Sequence, residues 1–168
     1  MKEIQVCLAC NYENSDTASH CSRCYAPLSV EETAPLSPEI VEAVYRHYGD
    51  QRAKLQPDTI AMYFVGKGQT RTVPLESSLT LGRQTSNMRD AAFDLKDYHG
   101  RLLGVSRQHA VIRRSGARYS ITDLDSTNGT WVNETQLTPN KPHKLSDGDQ
   151  VRLGDLSLFV FLPELSPK

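Results

Sequence analysis

The sequence predicts a mainly β fold, in which one β-sandwich fills most of the chain and a small cysteine-rich unit precedes it. Three observations predict this arrangement. From Thr59 onward apolar residues recur at every second position, which is the period of a half-buried strand. Turn pairs such as Asn128-Gly129 and Gly154-Asp155 separate these short runs. All four cysteines, by contrast, lie within the first 24 residues.

We divide the chain into four parts. Residues 1–28 form the cysteine-rich unit, residues 29–57 a linker, residues 58–163 the sandwich and residues 164–168 a tail. A chain of 168 residues allows one domain of ordinary size and a smaller unit beside it. The N-terminus has no apolar signal-peptide region, and no apolar run approaches the roughly 20 residues that a membrane span needs. We therefore expect a cytoplasmic protein.

The four cysteines form two pairs of the type C-x2-C. The first pair is Cys7 and Cys10, and the second, after ten intervening residues, is Cys21 and Cys24. Zn²⁺ prefers a tetrahedral shell, and four thiolates close that shell without an open position for water. The spacing therefore predicts one structural zinc ion per chain. Such an ion would let a segment of about 25 residues fold, although that segment is too short to build a core.

Other interpretations of the cysteines stay open. Two disulfides are disfavoured in a chain without a signal peptide, and a redox C-x-x-C needs a βαβ context that is absent. His20 adjoins Cys21 and is an alternative ligand, although four cysteines already complete the shell. Residues 7–28 are similar to the zinc ribbons at the N-termini of many bacterial proteins. They depart from them at Asn11 and Tyr25, where such ribbons commonly have glycine.

The linker is predicted to contain a helix over about residues 38–55. Ser37 is a good N-cap, and Pro38 suits the first helical position. Beyond them, apolar residues recur at i, i+3 and i+4 spacing, and these are Ile40, Val41, Val44, Tyr45 and Tyr48. A single amphipathic helix must bury its apolar stripe, so we expect it to pack on the sandwich, on the cysteine-rich unit or on another subunit.

Polar residues at successive strand ends form a set suited to binding an anion. Arg83 supplies a planar fork of donors, and Ser106, Thr127 and Asn128 supply hydroxyl and amide donors. No nucleophile with an evident base accompanies them, so the pattern predicts a protein that holds a phosphate and does not cleave it. Residues 82–118 carry eight Lys/Arg against three Asp/Glu. This excess of positive charge would attract a phosphorylated or acidic partner.

The order of these blocks resembles a forkhead-associated (FHA) domain, a module that binds phosphothreonine peptides. The blocks are Gly82-Arg83, Ser106-Arg107-Gln108-His109, Ser126-Thr127-Asn128-Gly129-Thr130 and Val132-Asn133. The resemblance covers about residues 58–163 and implies an FHA-type β-sandwich. It implies phosphate or peptide contacts for Arg83, Ser106, Arg107, Thr127, Asn128 and Asn133. It also implies structural roles for Gly82, His109 and Gly129, with a positive φ at Gly129, and we expect Trp131 to be a core residue more than a peptide platform.

The resemblance implies a non-enzymatic adaptor in Ser/Thr kinase signalling. Its partner would be a phosphothreonine-containing protein, such as a Ser/Thr kinase or the substrate of one. The alternative is a nucleic-acid-binding protein that uses the zinc ribbon as its reader. Against this alternative, residues 1–28 contain only Lys2 and Arg23 as cations, which is too few to follow a phosphate backbone.

Thr33 in the linker is a candidate phosphorylation site. Acidic residues precede it, and Leu36 stands at the third position after it, a position that FHA domains often read. We hypothesise that phosphorylated Thr33 occupies the protein's own site at Arg83, Ser106 and Asn128, held near it by the tether. The alternative is that Thr33 is an unmodified linker residue.

Overall fold

Strands dominate the part of the chain that the structure describes. The structure is a computed structural model, and it describes residues 4–7, 12–18, 21–23, 28, 38–39, 42, 45, 55–65, 67–83 and 92–164. Within these ranges, no helix is long and apolar enough to cross a membrane. Helical conformation in the linker is described at Pro38, Glu39, Glu42 and Tyr45. The remaining residues of the predicted helix lie outside the described ranges, so its bounds stay a prediction.

Two short strands form a hairpin near the N-terminus, and eleven strands form the sandwich. The hairpin pairs β1 (Ile4–Val6) with β2 (Glu13–Ser15) in antiparallel fashion. The sandwich strands are β3 (Thr59–Phe64), β4 (Gln69–Pro74), β5 (Ser78–Gly82), β6 (Ala92–Asp94), β7 (Ala110–Ser115), β8 (Arg118–Asp123), β9 (Thr130–Val132), β10 (Thr135–Gln136), β11 (His143–Leu145), β12 (Asp149–Leu153) and β13 (Leu156–Phe161). A 3₁₀-helix, Lys96–Tyr98, follows β6.

The eleven strands form two sheets that face each other. One sheet has six strands in the order β10-β9-β12-β13-β3-β4, and the other has five in the order β11-β8-β7-β5-β6. Neighbouring strands are antiparallel except β5 and β6, which are parallel. This confirms the predicted mainly β sandwich. It also places the loops after β5, before β7 and after β8 at the same ends of neighbouring strands.

The core lies between the sheets and follows from the two-residue period of the strands. In β3, Ile60, Met62 and Phe64 point inward, and in β13 Leu158 and Val160 do the same. From the other sheet Leu79, Leu81, Ile112, Tyr119 and Ile121 meet them. Phe64 also stacks with Phe93 and Tyr98, which brings the segment after β6 against the core.

A second apolar cluster lies on the outer face of the six-stranded sheet. It contains Ala61, Val65, Phe159 and Phe161, with Leu55 and Tyr63 against it. The ring of Tyr45, in the linker, meets Phe159 and Phe161 edge to face, with centroids 6.0 and 6.2 Å apart. The Tyr45 hydroxyl donates a hydrogen bond to the Gly148 carbonyl. The linker was expected to pack on the sandwich, on the cysteine-rich unit or on another subunit. Tyr45 contacts the sandwich.

Trp131 is not a core residue, so that expectation is wrong. It is the middle residue of β9, between buried Thr130 and Val132, and its half-buried ring faces away from the core. The Arg152 guanidinium lies over this ring, 3.7 Å from its centroid. The two-residue period explains the result, because consecutive residues of a strand point to opposite faces of a sheet.

Candidate functional site

Arg83 is held where β5 ends against the loop that contains Ser106. A side chain on Gly82 would overlap the Arg107 carbonyl oxygen, so the close approach of that loop requires glycine. The Arg83 backbone N–H donates to the Ser106 carbonyl at 3.1 Å. Its Nε donates to the Val105 carbonyl at 2.9 Å. Neither terminal nitrogen of Arg83 has a hydrogen-bond partner among the described residues.

His109 joins the loop of residues 104–109 to the loop of residues 124–129. Its ring is fully buried, and Nδ1 accepts a hydrogen bond from the Ser106 backbone N–H at 3.0 Å. Because Nδ1 accepts, Nε2 carries the proton and donates to the Gly129 carbonyl, 2.8 Å away. Burial lowers the pKa of His109, although the Gly129 carbonyl and Asp123 partly oppose this. The neutral imidazole therefore acts as a two-ended link between the loops.

The same two loops are joined directly through their functional side chains. The Ser106 hydroxyl oxygen accepts a hydrogen bond from the Thr127 backbone N–H at 3.1 Å. The Asn128 side-chain amide donates to the Gly104 carbonyl at 2.9 Å. Thr127 and Asn128 are themselves exposed, and Ser106 is half-exposed. The structure thus places Arg83, Ser106, Thr127 and Asn128 around one hydrogen-bonded loop pair.

Asp123 anchors the loop of residues 124–129 from below, a role that sequence reasoning missed. One carboxylate oxygen accepts from the hydroxyls of Ser126 and Thr130, both at 2.6 Å. The other accepts from the Ser126 backbone N–H at 3.0 Å. Burial alone would raise the pKa of Asp123, but these hydrogen bonds and His109 outweigh it and lower the pKa. A buried Asp three residues before a serine in a turn is the signal that points to such a loop.

Gly129 and Arg107 complete the surroundings of this loop pair. Gly129 has a φ of +84°, which confirms the predicted positive value. Its carbonyl accepts from Gly154 N at 3.0 Å as well as from His109, so two other elements fix it. Arg107 is exposed beside Ser106.

Asn133 is bound differently from the other predicted site residues. Its side-chain nitrogen donates to Asp149 at 2.8 Å, and its side-chain oxygen accepts from the Gln150 backbone N–H at 3.0 Å. Both ends of the amide are therefore used to join the end of β9 to the start of β12. These contacts fit a residue that stabilises its own turn, and no hydrogen bond within the described ranges links Asn133 to Arg83 or Ser106.

Two of the four cysteines are described, and both are fully buried. Cys7 and Cys21 are these two, whereas Cys10, Cys24, His20 and Thr33 lie outside the described residues. The Cys21 sulfur accepts from the Asn14 side chain at 3.6 Å and from the Arg23 backbone N–H at 3.4 Å. The residues present thus offer donors of the kind that a metal-bound thiolate accepts. Among the described residues alone no group of three potential ligands is found, so the zinc site stays a prediction.

Comparisons with known proteins identify a family match for the region that contains the loop pair. Residues 79–154 match the family model of the FHA domain. The protein FhaA of Mycobacterium tuberculosis is 42% identical over 94 residues, which are 55% of this chain and 16% of FhaA. The protein FraH of Nostoc sp. is 44% identical over 62 residues, which are 37% of this chain and 22% of FraH. The chain therefore spans less than a quarter of the length of these two relatives.

A solved FHA domain, studied for its phosphothreonine-dependent interactions, has a similar fold. It is 35% identical in sequence, and the TM-score is 0.50. The match covers 64% of this chain and 99% of that domain. The likeness in fold therefore extends over nearly the whole length of a solved domain.

Proposed function

We propose that the FHA domain in this chain binds phosphothreonine peptides, and that the protein is a non-enzymatic adaptor in Ser/Thr kinase signalling. The FHA domain, predicted from the ordered sequence blocks, is confirmed by the family match and by the solved fold. The observation that carries the proposal is the meeting of Arg83, Ser106, Thr127 and Asn128 around one loop pair. Its partner would be a phosphothreonine-containing protein, such as a Ser/Thr kinase or its substrate.

The donors at the loop pair suit a phosphate dianion. The bond from Arg83 Nε to the Val105 carbonyl fixes the guanidinium plane, which leaves the two terminal nitrogens to donate to phosphate oxygens. Ser106 accepts from Thr127 N through its oxygen, so the hydroxyl hydrogen remains for a phosphate oxygen. Thr127 and Asn128, both exposed, flank this point and would contact the peptide backbone.

The buried titratable groups near the loop pair support binding more than catalysis. A hydrolytic site needs a base that can reach a nucleophile. Both ring nitrogens of His109 are engaged, by Ser106 N and by the Gly129 carbonyl. Both oxygens of Asp123 accept hydrogen bonds from the loop above them. Neither group is placed to activate water, so the site would hold a phosphate intact.

Calorimetry with a library of phosphothreonine peptides tests this proposal. Arg83→Ala and Ser106→Ala should each weaken binding at least tenfold, since a charge-assisted hydrogen bond contributes about 1.5–3 kcal/mol. Arg118→Ala is the matched control, because it removes the same charge from an exposed position. Arg118 is the first residue of β8, at the end of the sheet away from the loop pair. If both site variants bound the phosphopeptide with wild-type affinity, the assignment of the site would be wrong. Steeply salt-dependent binding to duplex DNA would instead support the nucleic-acid alternative.

We also propose that residues 1–28 form a zinc ribbon in which Cys7, Cys10, Cys21 and Cys24 hold one structural Zn²⁺. The full burial of Cys7 and Cys21 and the two N–H donors at Cys21 support it. The ion would supply the folding free energy that a unit of this size cannot obtain from a core. The division into 1–28, 29–57, 58–163 and 164–168, the cytoplasmic location and phosphorylation of Thr33 likewise remain proposals.

Elemental analysis of the purified protein should find one zinc per chain. Strong chelation should unfold the N-terminal unit while phosphopeptide binding is retained, because the sandwich has its own core. A metal-free protein with an ordered N-terminus and four titratable thiols would overturn the zinc proposal. A mass lower by four hydrogens would point to two disulfides.

A further inference from the structure

We infer that Asn14 is the positioning residue of the cysteine-rich unit, fixing Cys21 and Ser22 so that the Cys21 thiolate is preset for metal. The inference rests on the proposed zinc site and is independent of phosphopeptide binding. It concerns a residue that is not itself a ligand. Its basis is the set of contacts that Asn14 makes with both halves of the unit.

The Asn14 side chain is buried in the middle of β2 and uses its full hydrogen-bonding capacity. The amide nitrogen donates to the Tyr12 carbonyl at 2.9 Å and to the Cys21 sulfur at 3.6 Å. The amide oxygen accepts from the backbone N–H of Ser22 at 2.9 Å and from its hydroxyl at 3.1 Å. A buried amide with every donor and acceptor satisfied specifies one arrangement of the groups around it.

These contacts also reach the first cysteine pair. The Tyr12 carbonyl that accepts from Asn14 accepts from the Cys7 backbone N–H as well, at 2.9 Å. One carbonyl therefore receives a donor from Cys7 and a donor from the side chain that contacts Cys21. This places Cys7 and Cys21, which are separated by 13 intervening residues, in one hydrogen-bonded unit.

The donors at Cys21 have a chemical role beyond packing. Four thiolates around Zn²⁺ carry a net charge of −2, and N–H groups that point at sulfur offset part of this charge. Cys21 receives two such donors, one from Asn14 and one from the Arg23 backbone. Partners of this kind orient the ligands and commonly change metal affinity by about 10–100-fold.

Asn14→Asp tests this role. Aspartate has the same shape and accepts from Ser22 at least as well, so it retains the contact with Ser22. It can donate neither to the Cys21 sulfur nor to the Tyr12 carbonyl, and it adds negative charge beside the thiolates. Gln5→Ala is the matched control, because Gln5 faces Asn14 across the hairpin and donates to the carbonyls of Ser15, Asp16 and Ala18 but to neither of the two described cysteines.

The test measures the rate at which the full-length zinc-loaded protein releases zinc to a chromophoric chelator. Asn14→Asp should release it about 10–100-fold faster than wild type, and Gln5→Ala within about threefold. Ser22→Ala, which loosens the anchor of Asn14 and leaves both strands intact, should accelerate release roughly fivefold. In the cobalt-substituted protein, Asn14→Asp should shift the sulfur-to-metal charge-transfer bands, which loosened packing alone would not do.

The possible failures are distinguishable. Wild-type zinc with equal release rates and unshifted cobalt bands in Asn14→Asp would overturn the role of Asn14 and leave the zinc site standing. A wild-type protein that binds neither zinc nor cobalt would overturn both. Phosphopeptide affinity should be the same in all these variants, and its loss would show that the N-terminal unit contributes to the FHA site.

Discussion

Two buried polar side chains, His109 in the sandwich and Asn14 near the N-terminus, each join two segments that carry candidate functional residues. His109 bonds Ser106 N on one side and the Gly129 carbonyl on the other. Asn14 bonds Tyr12 on one side and Cys21 with Ser22 on the other. In both cases one side chain with all its hydrogen bonds made fixes the distance between two segments, which the backbone alone does not determine. We call such a side chain, together with its hydrogen bonds, a joint.

The two regions differ in what surrounds that side chain. His109 lies against strands whose inward residues form a continuous apolar core. Asn14 lies on a hairpin of two three-residue strands, and the apolar residues of β1 are largely exposed, Ile4 by 57% and Val6 by 50%. Burial of apolar surface stabilises the first joint, whereas the second needs another source of free energy. The same local device is therefore self-sufficient in the sandwich, whereas near the N-terminus it would depend on the proposed zinc ion.

Replacing His109 tests the self-sufficient joint and should give the largest effect. His109→Ala leaves the Ser106 N–H without its partner, removes one of the two donors to the Gly129 carbonyl and opens a cavity, which should cost about 3 kcal/mol or more. Urea unfolding would report this loss, and calorimetry should show phosphopeptide affinity reduced at least tenfold. Zinc content should not change. A destabilised protein with wild-type affinity would show that the loop pair does not depend on this joint.

Acid should weaken the His109 joint before it affects Asp123. Burial lowers the pKa of His109 in the folded protein below its usual 6.5. The stability that the neutral ring contributes is therefore complete above about pH 6.5 and is lost as the pH falls from there toward the folded pKa. The pKa of Asp123 is lowered from 3.8, so its contribution persists above that pH and is lost below it. The loss at His109 should therefore begin at a higher pH than the loss at Asp123.

Fluorescence of the single tryptophan measures these losses, because Trp131 lies in the sandwich. Urea unfolding of wild type should show a free energy of unfolding that declines as the pH falls below 6.5, and His109→Gln should lack this decline. The same decline in His109→Gln would assign the titration to another group. The Asn14 side chain does not titrate, so a pH-dependent stability that is lost in His109→Gln can be attributed to the sandwich and not to the contacts of Asn14.

Asn133 offers a third joint, and its replacement should have the smallest effect. Asn133→Ala removes the bonds to Asp149 and Gln150 at the β9–β12 junction, which should cost about 1 kcal/mol of stability. Phosphopeptide affinity should change less than about twofold. A tenfold loss of affinity at unchanged stability would instead restore the peptide contact that the sequence resemblance implies.

Much of the fold was accessible to sequence reasoning because the central strands are strongly apolar. The runs around β3 and β13 are almost continuously apolar, so the existence of these strands follows from the sequence, whereas their inner face does not, because both faces are buried. β10 and β11 have no recognisable strand pattern in the sequence, because they are two and three residues long and mostly polar. The outward direction of Trp131 follows from a register that no local pattern around β9 determines.

The candidate site was predictable in its members and less so in their connections. Arg83, Ser106, Thr127 and Asn128 were recognised from their order, and the structure brings them together. The anchor of Asp123 on Ser126 and Thr130 depends on how a buried carboxylate meets the loop after it, which spacing alone leaves open. The contact of Tyr45 with Phe159 and Phe161 spans more than a hundred residues, and only the folded chain identifies it.

Tyr45 has a practical consequence for anyone who shortens this protein. The two-residue period begins near Thr59 and the family match only at residue 79, so either point is a natural place to begin a fragment. A fragment cut there lacks Tyr45, which meets the edges of Phe159 and Phe161 and bonds the Gly148 carbonyl. In such a fragment Phe159 and Phe161 would be more exposed on the outer face of the six-stranded sheet, and exposed apolar surface promotes self-association. Fragments that begin before Ser37 retain Tyr45 and therefore its contacts with Phe159, Phe161 and Gly148.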